Sequence, residues 1–247
     1  MSKKEYIYGF HAVRGLLLSQ PKTVKQVLLL KNRRDARMQE IMNLADEHSI
    51  GMQTLSRDQI EQLMDKDDNH QGVVAECSSS LAASEDYLKI LVQETKEPML
   101  FLVLDGVQDP HNLGACLRSA NAFGVQAVIA PKDKASGITP VVRKVACGAV
   151  GATPFVQVTN LSRTLRWLKE QGVWLVGTSD HGNSMLREID MTGHIALIMG
   201  REGQGMRQLT EKQCDFLAKI PMSGSVESLN VSVATGVCLY EVQRQRY

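Results

Sequence analysis

Asn112 and Arg118 bracket a short stretch, Asn112-Leu113-Gly114-Ala115-Cys116-Leu117-Arg118, that holds an amide and a guanidinium beside apolar residues. A second cluster, Met199-Gly200-Arg201-Glu202-Gly203-Gln204-Gly205, joins glycines to a carboxylate. A third runs from Ile220-Pro221-Met222 to Ser228-Leu229-Asn230-Val231-Ser232. An arginine fork grips phosphate through several charge-assisted hydrogen bonds. Glycine-rich backbone can close on an adenine or a ribose, and amides at a helix entrance can hold a polar ligand while apolar neighbours sandwich a base. Together the clusters read as one nucleoside-cofactor site assembled from distant loops.

Each residue also has a plainer use. Arg118 serves equally well in a structural salt bridge, and its spacing from Asn112 does not put the two on one helical face. Ser228 and Asn230 can be helix caps, and Glu202 can orient its loop or pair with a nearby cation. Cys116 fits a helix-facing core thiol better than a nucleophile. The glycine loop is not the GxGxxG dinucleotide signature, and the chain has no GxxxxGK[ST] phosphate loop, which sets aside a Rossmann oxidoreductase.

The clusters need elements to hold them. From residue 98 onwards the sequence alternates short buried strands (Phe101–Leu104, Ala127–Ala130, Phe155–Val158, Val173–Gly177, Ile195–Met199, Leu217–Ile220) with helices near 112–123, 139–148, 160–171, 206–213 and 229–243. This pattern predicts a mainly parallel sheet covered on both faces, with ligands beyond the carboxyl ends of its strands. Asp109 can cap the helix that carries Asn112, with Pro110 in its first turn.

Residues 1–76 read as a smaller α/β module, with strands at Lys25–Leu30, Gln53–Leu55 and Gly72–Ala75. A helix over Arg37–Glu47 presents Met38, Ile41, Met42 and Ala45 at helical spacing, and Ser56-Arg57-Asp58-Gln59 can box the next one. Residues 77–97, with Ser78-Ser79-Ser80 and acidic Glu85, Asp86, Glu94 and Glu97, read as a linker with at most one short helix.

Composition narrows the class. The chain is 43% hydrophobic and 22% charged with net charge +1, ordinary for a folded soluble protein. No apolar run approaches the ~18 residues of a membrane span, and the N-terminus does not read as a secretory signal. The five dispersed cysteines fit reduced thiols in the cytoplasm and support neither a disulfide framework nor a metal site. A basic cluster at Lys31, Arg33, Arg34 and Arg37 suits either an RNA backbone or a solvated helix entrance.

At Asn112-x-Gly114-Ala115-x-x-Arg118, at Ile195–Gly205, and at Ile220-Pro221-Met222 with Ser228–Ser232, the chain resembles the SpoU/TrmH (SPOUT) RNA methyltransferases. Tyr8-Gly9-Phe10-His11-Ala12-Val13 and His70-Gln71-Gly72-Val73 extend the likeness, towards the branch that methylates guanosine riboses of bacterial 23S rRNA. The resemblance implies a C-terminal parallel-sheet SPOUT domain (98–247) with a deep trefoil knot. An L30e-like RNA-binding domain (1–76) would precede it.

It also implies S-adenosylmethionine as cofactor, contacted at Thr178, Met199, Gly200, Gly203, Ile220, Met222, Ser228 and Leu229. RNA would be met by Arg33, Arg34, Arg37 and Arg118, and no metal enters. The reaction would methylate a ribose 2′-hydroxyl, with Arg118 as the main candidate for orienting it and Asn112, Glu202, Ser228 and Asn230 as supporting residues. The implied substrate is the peptidyl-transferase-centre P-loop hairpin of 23S rRNA, free or in a large-subunit assembly intermediate. The implied protein is a homodimer in the cytoplasm that engages neither DNA nor membrane. The rival readings are a tRNA ribose methyltransferase and a non-catalytic assembly factor.

Overall fold

The computed structural model describes residues 5–19, 21–33, 35–63, 70–77, 82–83, 85–95 and 97–247. The chain divides into two units, Met1–Leu81 with Cys147–Ala152, and Ala82–Ala146 with Thr153–Tyr247.

The first unit runs β1 (Glu5–Tyr8), α1 (Phe10–Ser19), β2 (Val24–Leu30), α2 (Ala36–Glu47), β3 (Gly51–Leu55), α3 (Arg57–Glu61) and β4 (Val73–Cys77). Its sheet has the order β1-β4-β2-β3. β4 is antiparallel to both its neighbours, and β2 is parallel to β3. Alternation along β2 sends Val27 and Leu29 into a core with Val13, Leu16, Leu17, Met38, Ile41 and Ala45, while Leu28 meets Ile60 and Val74 on the other face. Asp35 caps α2 by accepting from the Met38 amide at 3.0 Å. Ser56 and Gln59 form the capping box expected at α3.

The second unit continues with β5 (Ala82–Ala83), α4 (Glu85–Glu94), β6 (Leu100–Leu104), α5 (Pro110–Ala122), β7 (Ala127–Pro131) and α6 (Pro140–Ala146). After α7 (Ala149–Ala152), which falls within the first unit, come β8 (Phe155–Val158), α8 (Leu161–Glu170), β9 (Trp174–Thr178), β10 (Ser184–Met185), β11 (Ile195–Met199), α9 (Gln208–Glu211), β12 (Phe216–Lys219) and α10 (Val231–Arg246). The sheet order is β10-β12-β9-β11-β6-β7-β8-β5, with every pairing parallel. β6, β7 and β11 are buried throughout, as apolar runs covered on both faces must be. Phe101, Val103, Ala127, Ile129, Ala196 and Ile198 pack with Leu88 and Val92 of α4 and Leu165 and Leu168 of α8. After the edge strand β5 the chain crosses to mid-sheet at β6, builds outward through β7 to β8 beside β5, then returns to build the other half. The reversal lies between β6 and β11, where such sheets bind ligands.

Three expectations need correcting. The supposed linker 77–97 is partly structural: Cys77 ends β4, while β5 and α4 belong to the second unit, Leu88 and Val92 being drawn into its core. The helix expected over 139–148 stops at Ala146, because Cys147 and Gly148 have φ of 50° and 94°. That expected over 206–213 shrinks to Gln208–Glu211.

α10 is fastened at its carboxyl end. Gln243 donates to the Phe123 carbonyl at 2.8 Å, and Gln245 accepts from the Met191 amide at 2.9 Å. Arg246 donates to the carbonyls of Met191, Pro98, Met99 and Gly193. Among the described residues no helix is long and apolar enough to cross a membrane.

Candidate active site

β6 delivers the chain to Asp105 and Gly106, and Gly106 turns it at φ 87° towards α5. Asp109 then caps α5, accepting from the His111 amide at 3.0 Å, with Pro110 in the first turn as its fixed φ favours. Asn112 therefore sits in the first turn of a well-started helix. Gly114 lets α6 approach: a Cβ there would lie 2.7 Å from Cβ of Val145 and 3.0 Å from the Val142 carbonyl oxygen.

Asn230 caps α10 from the other end of the unit. Its Oδ1 accepts from the amide of Ser232 at 2.9 Å and from the Ser232 hydroxyl at 2.7 Å. Its Nδ2 donates to Oδ1 of Asn112 at 3.0 Å and to Oε2 of Glu202 at 3.4 Å. All the hydrogen-bonding capacity of this amide is thus engaged. Asn230 is both a cap and the hub that fixes Asn112, whose own Nδ2 has no partner among the described residues.

Glu202 joins this network to a cleft of about 400 Å³. The loop after β9 supplies Thr178, Ser179, Asp180 and His181 to its lining; the loop after β11 supplies Met199 to Met206; and Glu227, Ser228, Leu229 and Val231 close it. Arg201 and Gly205 exchange two backbone hydrogen bonds of 2.9 Å, so this loop is tied across its own neck. Gly200 lies against that neck, and any Cβ there would run into the backbone of Gly205 and Met206. From Pro221 to Leu229, by contrast, the described chain makes no backbone–backbone hydrogen bond.

Of the expected cofactor residues, Thr178, Met199, Gly200, Gly203, Ser228 and Leu229 line the cleft. Thr178 turns its hydroxyl to the Ile198 carbonyl at 3.2 Å. Ile220 and Met222 are not in the lining, and Met222 stands exposed beyond the Pro221 bend. Arg118 is exposed on α5 and outside the Asn112–Asn230–Glu202 network.

Arg33 is committed to fastening its loop, donating to the carboxylate of Asp35 and to the carbonyl of Gln71. Arg37 holds its guanidinium 5.5 Å from the centre of the Phe10 ring. Arg34 lies outside the described residues. Cys116 is fully buried beside Thr235, and burial pushes its thiol up to about 11, which makes it a core group. Asp180, His181 and Glu211 were not expected at the cleft. For Asp180 and His181 the sequence signal was their place just after an apolar strand, where loops at strand carboxyl ends lie.

The SpoU rRNA Methylase family model matches residues 99–240, and a model for RNA 2′-O ribose methyltransferase substrate binding matches residues 6–83. The chain belongs to the SpoU rRNA methylase family. Among its relatives, the 23S rRNA (guanosine-2′-O-)-methyltransferase RlmB of Coxiella burnetii is 55% identical over 246 residues, covering 100% of this chain and 98% of that protein. The protein of the same description from Pseudomonas putida is 52% identical over 246 residues, with the same coverage. Among solved structures, the SpoU methyltransferase AviRb of Streptomyces viridochromogenes, in complex with the cofactor AdoMet, superposes with a TM-score of 0.76 at 25% identity. It covers 98% of this chain and 90% of that one. The family assignment fits the architecture: a small front unit for substrate and a parallel-sheet unit bearing the cleft.

Proposed function

We propose that this chain transfers the methyl group of S-adenosylmethionine to the 2′-hydroxyl of a guanosine in 23S rRNA, in the peptidyl-transferase-centre P-loop hairpin. The observation that carries this reading is the junction at Glu202, which lines the cleft and also meets the Asn112–Asn230 pair. One position can therefore serve a cofactor on one side and a ribose on the other. Relatives that match the whole chain and are described as 23S guanosine 2′-O-methyltransferases support the substrate.

The cleft residues suit the cofactor. Met199, Met206, Leu229 and Val231 offer apolar contact to an adenine, and Asp180, Glu202, Glu211 and Glu227 offer negative charge to its cationic groups. The volume of about 400 Å³ lies in the range of small-molecule sites. Bound, the cofactor supplies a methyl group on a good leaving group. The chain must align the ribose oxygen and favour its loss of a proton. Arginine stays protonated, so Arg118 acts by holding RNA phosphate and favouring developing negative charge on the oxygen, while the proton leaves to solvent. The open Nδ2 of Asn112 positions the ribose, and Ser228 steadies the opposite wall.

The L30e-like front unit, residues 1–76, selects the RNA hairpin, with Arg37 on its basic face. A trefoil knot accounts for how α10 returns to α5 while the loops after β9, β11 and β12 share one cleft. A homodimer accounts for Val233, Val237 and Tyr240, an exposed apolar stripe at helical spacing on α10. The substrate, as free rRNA or an assembly intermediate, places the protein in the cytoplasm.

The test is transfer of labelled methyl to unmodified 23S rRNA, with tRNA in parallel and the product mapped to nucleotide and oxygen. A 2′-O-methylguanosine in the hairpin is the expected product. Label in tRNA alone would overturn the target, and label in neither, with ribosomal precursor particles also inert, would overturn the activity.

A further inference from the structure

The cofactor loop is closed on itself, so something else must fix where it sits. The residues that do so are on a different segment. Asp105, at the carboxyl end of β6, is fully buried. Its amide donates to the Met199 carbonyl at 2.8 Å, at the start of the loop. Its Oδ2 accepts from the Arg207 amide at 2.8 Å, at the loop's end. The next residue, Gly106, lies under the Arg201 side chain: a Cβ there would be 3.2 Å from its Cγ and Cδ. Residues 105 and 106 thus touch both ends of the 200–206 loop and its first side chain.

The second carboxylate oxygen is the telling one. Oδ1 of Asp105 is buried without a hydrogen bond among the described residues, and Nε of Arg207 stands 3.5 Å away. Burying a carboxylate is costly unless it is paired and bonded, so this arrangement is retained at the expense of stability. The same Arg207 reaches across to the Asp133 carbonyl at 3.3 Å, in the loop after β7. An apolar residue would fill the space at 105 more cheaply but could not hold the Arg207 amide.

We propose that Asp105 is a positioning residue for the cofactor: through both the amide and the guanidinium of Arg207 it latches the 200–206 loop in the shape that binds S-adenosylmethionine. It touches neither reacting group. Its effect falls on cofactor affinity, because the loop it holds lines the cofactor cleft, while Asn112 and Arg118 stand on α5, Asn230 caps α10, and only Glu202 of that network lies on the loop.

The experiment compares wild type with Asp105→Asn, Arg207→Ala and Arg207→Lys. S-adenosylmethionine affinity is measured directly by equilibrium dialysis without RNA, and kcat and the KM for each substrate by methyl transfer. Asp105→Asn leaves only a neutral acceptor for the Arg207 amide and turns an NH2 towards the guanidinium, which predicts about tenfold weaker cofactor binding, with kcat at saturating cofactor and KM for RNA within about threefold of wild type. Arg207→Ala should weaken cofactor binding by more than about threefold, and Arg207→Lys should recover most of it. A folded Asp105→Asn protein with affinity within about threefold of wild type, or with kcat alone reduced, overturns the proposal.

If Asp105→Asn does not fold, the Arg207 pair decides, and wild-type affinity in Arg207→Ala overturns it. The proposal rests on the cleft holding the cofactor. Wild-type protein that binds no S-adenosylmethionine would sink that reading, whereas wild-type binding with unaffected variants sinks only the role of Asp105.

Discussion

Asn230 and Asn112, 118 residues apart in sequence, share an amide-to-amide hydrogen bond of 3.0 Å. It joins the first turn of α5 to the cap of α10, so the start of one helix sets the side-chain orientation at the start of the other. Asn230→Asp keeps the acceptor for Ser232 but loses the donors to Asn112 and Glu202. It should melt close to wild type while methyl transfer drops at least about tenfold, the loss of about 1.4 kcal/mol of transition-state stabilisation. Asn230→Ala should in addition lose about 1 kcal/mol of stability with its cap. Thermal melts beside transfer assays separate the two effects.

Arg118 is exposed and makes no side-chain hydrogen bond or ion pair among the described residues. Arg118→Ala should therefore stay within about 0.5 kcal/mol of wild-type stability. Cofactor binding, followed by equilibrium dialysis, should not change, and transfer to rRNA should fall about a hundredfold or more. Arg118→Lys should recover only part of it, because a point charge does not reproduce the fork. Wild-type turnover in Arg118→Ala would remove this residue from the chemistry.

Gly200 has no room for a side chain, since a Cβ would meet the backbone of Gly205 and Met206. Gly200→Ala must open the neck of the 200–206 loop, and S-adenosylmethionine binding should be lost along with about 1–3 kcal/mol of stability. Gly203→Ala has open space but a φ of 72°, so it should cost about 1 kcal/mol and leave binding largely intact. Titration of both variants with S-adenosylmethionine checks the contrast.

None of the five cysteines is in a disulfide, and burial pushes the thiols of Cys116 and Cys238 up to about 11 and about 12. Held above the ordinary thiol range, these groups contribute stability at neutral pH that is lost as pH climbs towards 11–12. Both thiols should resist alkylation at pH 8 until the protein unfolds. Pulsed alkylation with mass spectrometry across a denaturant series should show them appearing with the global transition.

The readable parts of the chain were those where one local rule dominated. Asp109-Pro110 announces a helix start, Ser56 and Gln59 a capping box, and Ile195–Met199 a strand buried on both faces. The clusters at Asn112, Glu202 and Asn230 were legible as chemistry, and the fold brings those three together. β1 and α1 went unread because Phe10–Ser19 carries apolar residues on several sides and a glycine within it, which blurs the helical period. α4 was masked by its acidic, serine-flanked surroundings although Leu88 and Val92 keep a helical spacing. Asp105 gave no signal at all. A buried carboxylate whose partner lies 102 residues away is a fact of tertiary structure that no local pattern carries.

The two walls of the cleft enter binding with unequal order. The 201–205 wall is already hydrogen-bonded across its neck, so little conformational entropy is left to lose there when a ligand arrives. The Glu227–Leu229 wall ends a Pro221–Leu229 segment with no backbone–backbone hydrogen bond among the described residues, and it must surrender about 1–2 kcal/mol per residue wherever binding freezes it. The entropic penalty of cofactor capture is therefore concentrated in one strap, and chain stiffness there sets affinity without touching a contact. A Gly224→Ala or Ser225→Pro change compatible with the bound backbone would tighten binding through entropy alone. Calorimetry would register it as a less unfavourable entropy at nearly constant enthalpy.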